Sequence, residues 1–297
     1  MEHAISRRKV LVGVDGSPAN RPALLWALAE AEARQDELVA TYAWHIPSFA
    51  YYSPGYVPIA ADDMAEAGQK LLEGFVPPLA ADKQVPVTLR SVEGPAHRAL
   101  QHAAEAPDVE LVVVGSRGHG AVANLILGST SHALSHHCPK PLVIVPGRPD
   151  PTPSATHEIR HIVVGLDGSD GAVSALNWAA EEAKLHRATL ELVVAWSWAT
   201  IPRELIVDLA IDLSLEVAAK EILSKALERL HGQDLETKLT VREGSAPDVL
   251  LDVAQSADLL VVGTRGFGRT RETFLGSVSH QCVHRSPVPV VVVPTNV

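Results

Sequence analysis

Two glycines three residues apart, then nine residues, then Gly-Ser: this spacing occurs twice in the 297-residue chain. The first copy is Gly115, Gly118, Gly128 and Ser129, directly after Leu111-Val112-Val113-Val114. The second is Gly263, Gly266, Gly276 and Ser277, directly after Leu259-Leu260-Val261-Val262. Glycines at that spacing let a chain leaving a strand turn sharply and bring bare backbone close to a ligand. A Gly-Ser at the next helix start offers unpaired N–H groups, a hydroxyl and the positive end of a helix dipole. That chemistry suits a phosphate.

The elements around these loops are duplicated too. Val10-Leu-Val-Gly-Val-Asp15-Gly-Ser-Pro is echoed by Ile162-Val-Val-Gly-Leu-Asp167-Gly-Ser-Asp, and Val92-Glu-Gly-Pro-Ala96 by Arg242-Glu-Gly-Ser-Ala246. The halves close on Pro141-Leu-Val-Ile-Val-Pro146 and Pro289-Val-Val-Val-Val-Pro294. The offset is 152 from Asp15 to Asp167, 150 from Glu93 to Glu243 and 148 from Gly115 to Gly263, so the second half is slightly shorter in its middle. A duplicated domain fits this length. The Pro-, Ser- and Thr-rich stretch beginning at Gly147 marks the boundary, giving domains 1–147 and 159–297 joined by a semi-extended linker, 148–158.

Within the first half, apolar runs at Val10–Val14, Leu38–Ala43, near Val85–Val92, Leu111–Val114 and Leu142–Val145 read as strands. Helices are expected from Pro18 to about Arg34 with Ser17 as N-cap, over Ala61–Leu72 before the Pro77-Pro78 break, over Ala96–Ala104 and over Ser129–His136. Five strands alternating with four helices imply a parallel sheet covered on both faces. Such a sheet binds ligands beyond its strand C-termini, where the winding direction reverses. Asp15 ends the first strand and Gly115 the fourth, so the two signals meet if those strands are neighbours.

Composition narrows the partners. With 25 basic against 35 acidic residues, the net charge of −10 disfavours nucleic acid or an anionic membrane. A polar start from Met1 to Lys9 and the lack of an apolar stretch of about 18 residues make a cytoplasmic protein the expectation. Cys138 and Cys282 are not repeat partners, and read as ordinary buried or half-buried thiols.

Val-Gly-Val-Asp-Gly-Ser near the start, then Val-Val-Gly-Ser-Arg-Gly, nine residues and Gly-Ser, resembles the universal stress protein family. The resemblance covers both halves, and the glycine signature is the one that separates ATP-binding members from the others. It implies two tandem flavodoxin-like (Rossmann-like) α/β domains, each a five-stranded parallel sheet of order 3-2-1-4-5, with the final strands Leu142–Val145 and Val290–Val293 pairing within the chain as an internal pseudo-dimer, and it leaves open a homodimer of the whole chain. It further implies one adenine nucleotide, ATP, in each half.

Carried over by position, Gly13, Val14 and Asp15 line base and ribose, with the main chain around Thr41 to Ala43 flanking adenine. Gly115, Ser116, Arg117, Gly118, His119 and Gly120 wrap ribose and phosphates, and Gly128, Ser129 and Thr130 complete the cradle. The second site takes Gly165, Leu166, Asp167, Val194, Gly263, Thr264, Arg265, Gly266, Phe267, Gly268, Gly276, Ser277 and Val278. Mg²⁺ riding on the phosphates is compatible with such a site.

Plainer readings stand beside these. Asp15 and Asp167 can cap the following helix, and Arg117 and Arg265 can sit in solvated loops. The repeated pairs His132/His280 and His136/His284 suit surface or packing positions on a short helix, and His136-His137-Cys138 lacks structural zinc spacing. Trp26 and Trp178 read as core anchors. The aromatic segments from Trp44 and Trp196 onward are covers over the nucleotide, contact surfaces for a partner, or packed surface loops.

Three function classes follow: a nucleotide-dependent regulatory or stress-adaptation protein, a slow ATPase or nucleotidyl-transfer enzyme, and a structural dimerisation module with vestigial sites. Neither a Gly-x-x-x-x-Gly-Lys-Ser/Thr loop nor a convergent base or nucleophile accompanies the glycines, so the first class leads. Alanine at Gly118 or Gly266 is expected to place a methyl group where backbone approaches phosphate.

Overall fold

In the computed structural model the described residues are 7–45, 60–118, 127–147, 158–197, 210–266 and 275–295, with side chains in the last long helix described from 215. The chain divides into two units, 1–153 and 154–297.

Unit 1 runs β1 (Lys9–Gly13), a 3₁₀ turn (Pro18–Asn20), α1 (Arg21–Arg34), β2 (Glu37–Trp44), α2 (Ala61–Phe75), α3 (Pro77–Ala80), β3 (Val87–Glu93), α4 (Ala96–Ala104), β4 (Val109–Gly115), α5 (Ser129–His137) and β5 (Leu142–Val145). All its strand pairs are parallel, in the order β3-β2-β1-β4-β5. Unit 2 repeats the plan with β6 (His161–Gly165), α6 (Asp170–His186), β7 (Thr189–Trp196), α7 (Ala210–Leu230), β8 (Thr237–Glu243), α8 (Ala246–Val253), a 3₁₀ turn (Ala254–Ser256), β9 (Leu259–Gly263), α9 (Ser277–Arg285) and β10 (Val290–Val293). Its parallel order is β8-β7-β6-β9-β10.

Central strands read as uninterrupted Val/Ile/Leu because helices cover both faces. Val10, Leu11, Val12, Val112 and Val113 are buried in unit 1, as are Ile162, Val163, Val164, Leu260 and Val261 in unit 2. Trp26 is a fully packed core residue, whereas its counterpart Trp178 is half-buried. The Pro77-Pro78 break is itself a single helical turn: proline at the first positions of a helix forfeits no intrahelical bond. Cys138 and Cys282 are free thiols, and burial pushes them up to about 11 and about 12, so neither is a reactive thiolate. Among the described residues no helix is long and apolar enough to cross a membrane.

Winding reverses between β1 and β4 in unit 1 and between β6 and β9 in unit 2, and each pair is directly hydrogen-bonded. The crevice at that reversal therefore receives the chain leaving β1 (or β6) and the glycine loop leaving β4 (or β9).

Candidate functional site

Each site starts with an Asp-Gly-Ser turn. Asp15 Oδ1 accepts the Ser17 N–H at 2.8 Å, and Asp167 Oδ1 accepts the Ser169 N–H at 2.9 Å. Between them Gly16 and Gly168 take φ +77° and +86°, a left-handed conformation that glycine adopts without a Cβ clash. The aspartates thus organise the turn into the first helix. Their second oxygens face the glycine loop: a Cβ on Gly118 would lie 2.4 Å from Asp15 Oδ2, and one on Gly266 2.3 Å from Asp167 Oδ2. Glycine there admits the carboxylate without displacing it. A methyl group at Gly118 or Gly266 would therefore meet the aspartate of the first turn.

The glycine ending the first strand has a packing role. A Cβ on Gly13 would meet Leu100 Cδ1 of α4 at 2.8 Å, and one on Gly165 would meet Leu250 Cδ1 of α8 at the same distance. These glycines let a helix seat its leucine against the strand end that floors the crevice.

Both glycine loops are closed at their base. The Gly128 N–H donates to the Ser116 carbonyl at 2.7 Å and the Gly276 N–H to the Thr264 carbonyl at 2.8 Å. Ser116 and Thr264 are anchored in turn through their own N–H groups to Val145 and Val293. Gly128 and Gly276 are the N-caps of α5 and α9, in extended conformation, and no side chain caps either helix among the described residues. The first-turn N–H groups, from Ser129 and Thr130 or from Ser277 and Val278, are left facing outward with the positive end of the helix dipole. Arg117 and Arg265 are exposed. His119, Gly120, Phe267 and Gly268, the rest of both loops, the linker 148–157 and most of the two aromatic segments lie outside the described residues.

In unit 2 these parts enclose a cavity of about 350 Å³, within the range of small-molecule sites. Of the residues expected from sequence, Gly165, Leu166, Asp167, Gly263, Arg265, Gly266, Gly276, Ser277 and Val278 line it. Thr264 and Val194 do not. Val194 is buried at 2% exposure, and its neighbours Val193 and Ala195 supply the β7 wall. Successive strand residues face opposite sides of the sheet, so a one-residue step exchanges lining for packing. The offset of 152 from Ala43 leads to Ala195, so the repeat itself carried the correction.

The sequence reading also missed Ala172, Ala246, Leu250, Val262, Leu275 and Ser279. Ala246 closes the duplicated Glu-Gly-x-Ala motif, a signal that points to α8 as one wall. Ser279 Oγ donates to the Gly263 carbonyl at 2.6 Å, tying the first turn of α9 to the end of β9.

As an assembly the site offers an apolar slot between β7 and α8, a carboxylate at the turn, glycine backbone beside it and an uncapped helix start. This combination can hold a flat apolar ring at one end and an anion at the other.

The family model for the universal stress protein family matches residues 6–146 and 158–294. A universal stress protein of Mycobacterium tuberculosis is 28% identical over 316 residues, covering 95% of this chain and 94% of that protein. One from Mycolicibacterium smegmatis is 28% identical over 302 residues, covering 96% of each. Among solved structures, a universal stress protein from Archaeoglobus fulgidus matches with a TM-score of 0.66 at 20% identity, covering 96% of both chains. With both halves matched by the same family model, the chain belongs to the universal stress protein family as a tandem-domain member.

Proposed function

We propose that each unit binds one adenine nucleotide, ATP, and that occupancy of the two sites is the regulatory signal this protein carries. The observation that carries this reading is the unit 2 cavity, where Asp167, the Gly263–Gly266 start of the loop and the uncapped N-terminus of α9 converge. Adenine fits the slot between Val193, Ala195, Ala246 and Leu250, and Asp167 is positioned to accept a hydrogen bond from ribose. The phosphates fit the N–H groups of Ser277 and Val278, with Arg265 at the rim. In unit 1 the corresponding parts are Asp15, Gly115, Ser116, Arg117, Gly118, Gly128, Ser129 and Thr130.

A carboxylate beside the phosphates also suits Mg²⁺, which keeps water and phosphate among its ligands. No paired base and nucleophile accompanies the nucleotide in this reading, so hydrolysis is slow and binding is the function. A ligand shifts a conformational equilibrium only by preferring one state.

The test is to denature the purified protein and identify what it releases by mass spectrometry and ultraviolet absorbance, then to offer ATP to the emptied chain. Release or uptake of close to two adenine nucleotides per chain is expected. A protein that carries none and takes up none would overturn the reading in favour of a purely structural module.

A further inference from the structure

The two crevices are built on the same strands but walled by different chemistry. In unit 2, Val193 of β7, paired with Gly165 at the end of β6, and Ala172 in the first turn of α6 line the cavity. Their counterparts in unit 1, at the constant offset of 152, are Thr41 and Asn20. Each of these polar residues is only 3% exposed. The Asn20 carboxamide lies between the ends of β1 and β4, where Nδ2 donates to the Gly13 carbonyl at 3.0 Å. Only the amide nitrogen can donate to a carbonyl, so this bond fixes the orientation and leaves Oδ1 as the second polar atom. Among the described residues neither Asn20 Oδ1 nor Thr41 Oγ1 has a hydrogen-bond partner. Buried polar atoms without partners are rare because their lost hydration goes uncompensated. Unit 2 meets the same packing requirement with a valine and an alanine, so the fold does not demand polar residues at these two positions.

We propose that Asn20 and Thr41 make unit 1 the selective nucleotide site of the chain, while unit 2 is the permissive one. This rests on the nucleotide reading above. Asn20 Oδ1 is an acceptor only, so the group it recognises is an N–H or O–H donor on the nucleoside. The two donors of that kind are the exocyclic amine of adenine and a ribose hydroxyl. Thr41, paired with Gly13 on the strand that flanks the ring, supplies a second hydrogen-bonding atom. A site that pairs a ligand donor with a buried acceptor rejects an analogue lacking the donor, because the acceptor is then stranded. An apolar wall offers no such penalty.

The experiment is a calorimetric titration of the nucleotide-free full chain with ATP, with 2′-deoxy-ATP and with purine riboside triphosphate, which lacks the amine. The wild type is compared with Asn20→Ala/Thr41→Val, with Thr41→Val alone, and with the mirror variant Ala172→Asn/Val193→Thr. For the wild type, two sites for ATP are expected, of which one weakens about tenfold or more for one of the two analogues. Which analogue does so identifies the amine or the hydroxyl as the donor read. In the unit 1 double variant that site binds ATP more weakly and no longer distinguishes it from the analogue, and the near-isosteric Thr41→Val gives a partial loss should the double variant fold poorly. The mirror variant gains discrimination at the second site. Two nucleotides bound with equal selectivity at both sites, or full discrimination retained in both unit 1 variants, would overturn this inference and leave the nucleotide reading intact. Absence of any nucleotide binding by the wild type would overturn both.

Discussion

Unit 2 enters its first helix at Asp170, whereas unit 1 spends a 3₁₀ turn, Pro18–Asn20, before α1 begins at Arg21. The cause is local. Ser169 is a working N-cap: its Oγ accepts the Ala172 N–H at 3.2 Å and donates to Asp167 Oδ1 at 2.6 Å. Ser17 holds the same place but its side chain caps nothing, and its Oγ is buried without a partner among the described residues. Gly171 then lets the start of α6 press on the loop, since a Cβ there would fall 2.3 Å from the Arg265 carbonyl oxygen. Unit 1 carries Ala19 at that position and bridges the wider gap with the Asn20 carboxamide. Duplicated sequence thus gives the same topology and the same turn, while three side chains decide how tightly the helix closes on the loop.

A second contrast lies in the sheet. Glu191 of β7 is 1% exposed and accepts hydrogen bonds from His161 and Lys238, each at 2.9 Å, and from Thr240 at 2.5 Å. The matching residues in unit 1 are Val39 and, across the strand pair, Thr88. Burial alone would raise the Glu191 carboxyl, but the bonds from Thr240, Lys238 and His161 outweigh it and hold the group below the ordinary glutamate range. Glu191→Ala, which strands the partners, is expected to cost about 3 kcal/mol, read by denaturant unfolding. Glu191→Val with Lys238→Thr, which copies the unit 1 pair but still leaves His161 and Thr240 without this acceptor, is expected to recover part of that loss.

The pH dependence has a definite sign. A carboxyl held low in the folded state contributes stability above its unfolded value, about 4.3 for glutamate, and that contribution vanishes as pH falls through the lower folded value. The unfolding midpoint of the wild type should therefore drop more steeply in acid than that of the Val/Thr variant. Parallel curves would show that Glu191 is not held low.

Smaller effects probe the helix entry. Gly171→Ala should cost about 2 kcal/mol by overpacking against the Arg265 carbonyl and weaken nucleotide binding at unit 2. The reciprocal Ala19→Gly should cost under about 1 kcal/mol, and equal effects from both would dissolve the contrast. Last, Ser169→Ala should lose about 1 kcal/mol of helix capping, while Ser17→Ala is near neutral, as thermal unfolding of each variant will register.

The architecture was legible because strand and helix periods are strong signals: Ala96–Ala104 and Leu142–Val145 form their elements with the expected bounds. Parity along a strand was harder to read. In the all-apolar run Val193-Val194-Ala195 nothing in the residue types separates the face lining the cavity from the one packed on helices. The closeness of Gly118 to Asp15 and of Gly266 to Asp167 was also hidden, because each carboxylate lies about a hundred residues away in sequence. Ser17 was expected to cap its helix and does not, whereas its repeat partner Ser169 caps α6. Only the packing of Asn20 against Gly13 and of Gly171 against Arg265 separates them.

The most direct measurement of the central claim is an equilibrium titration of the nucleotide-free chain with ATP, repeated on Gly118→Val, Gly266→Val and the double variant. Valine at either position forces the aspartate of that unit out of the crevice. The account predicts two ATP per wild-type chain, one for each single variant and none for the double variant, with the fold retained. Wild-type protein that binds no ATP, or a double variant that still binds two, would contradict it.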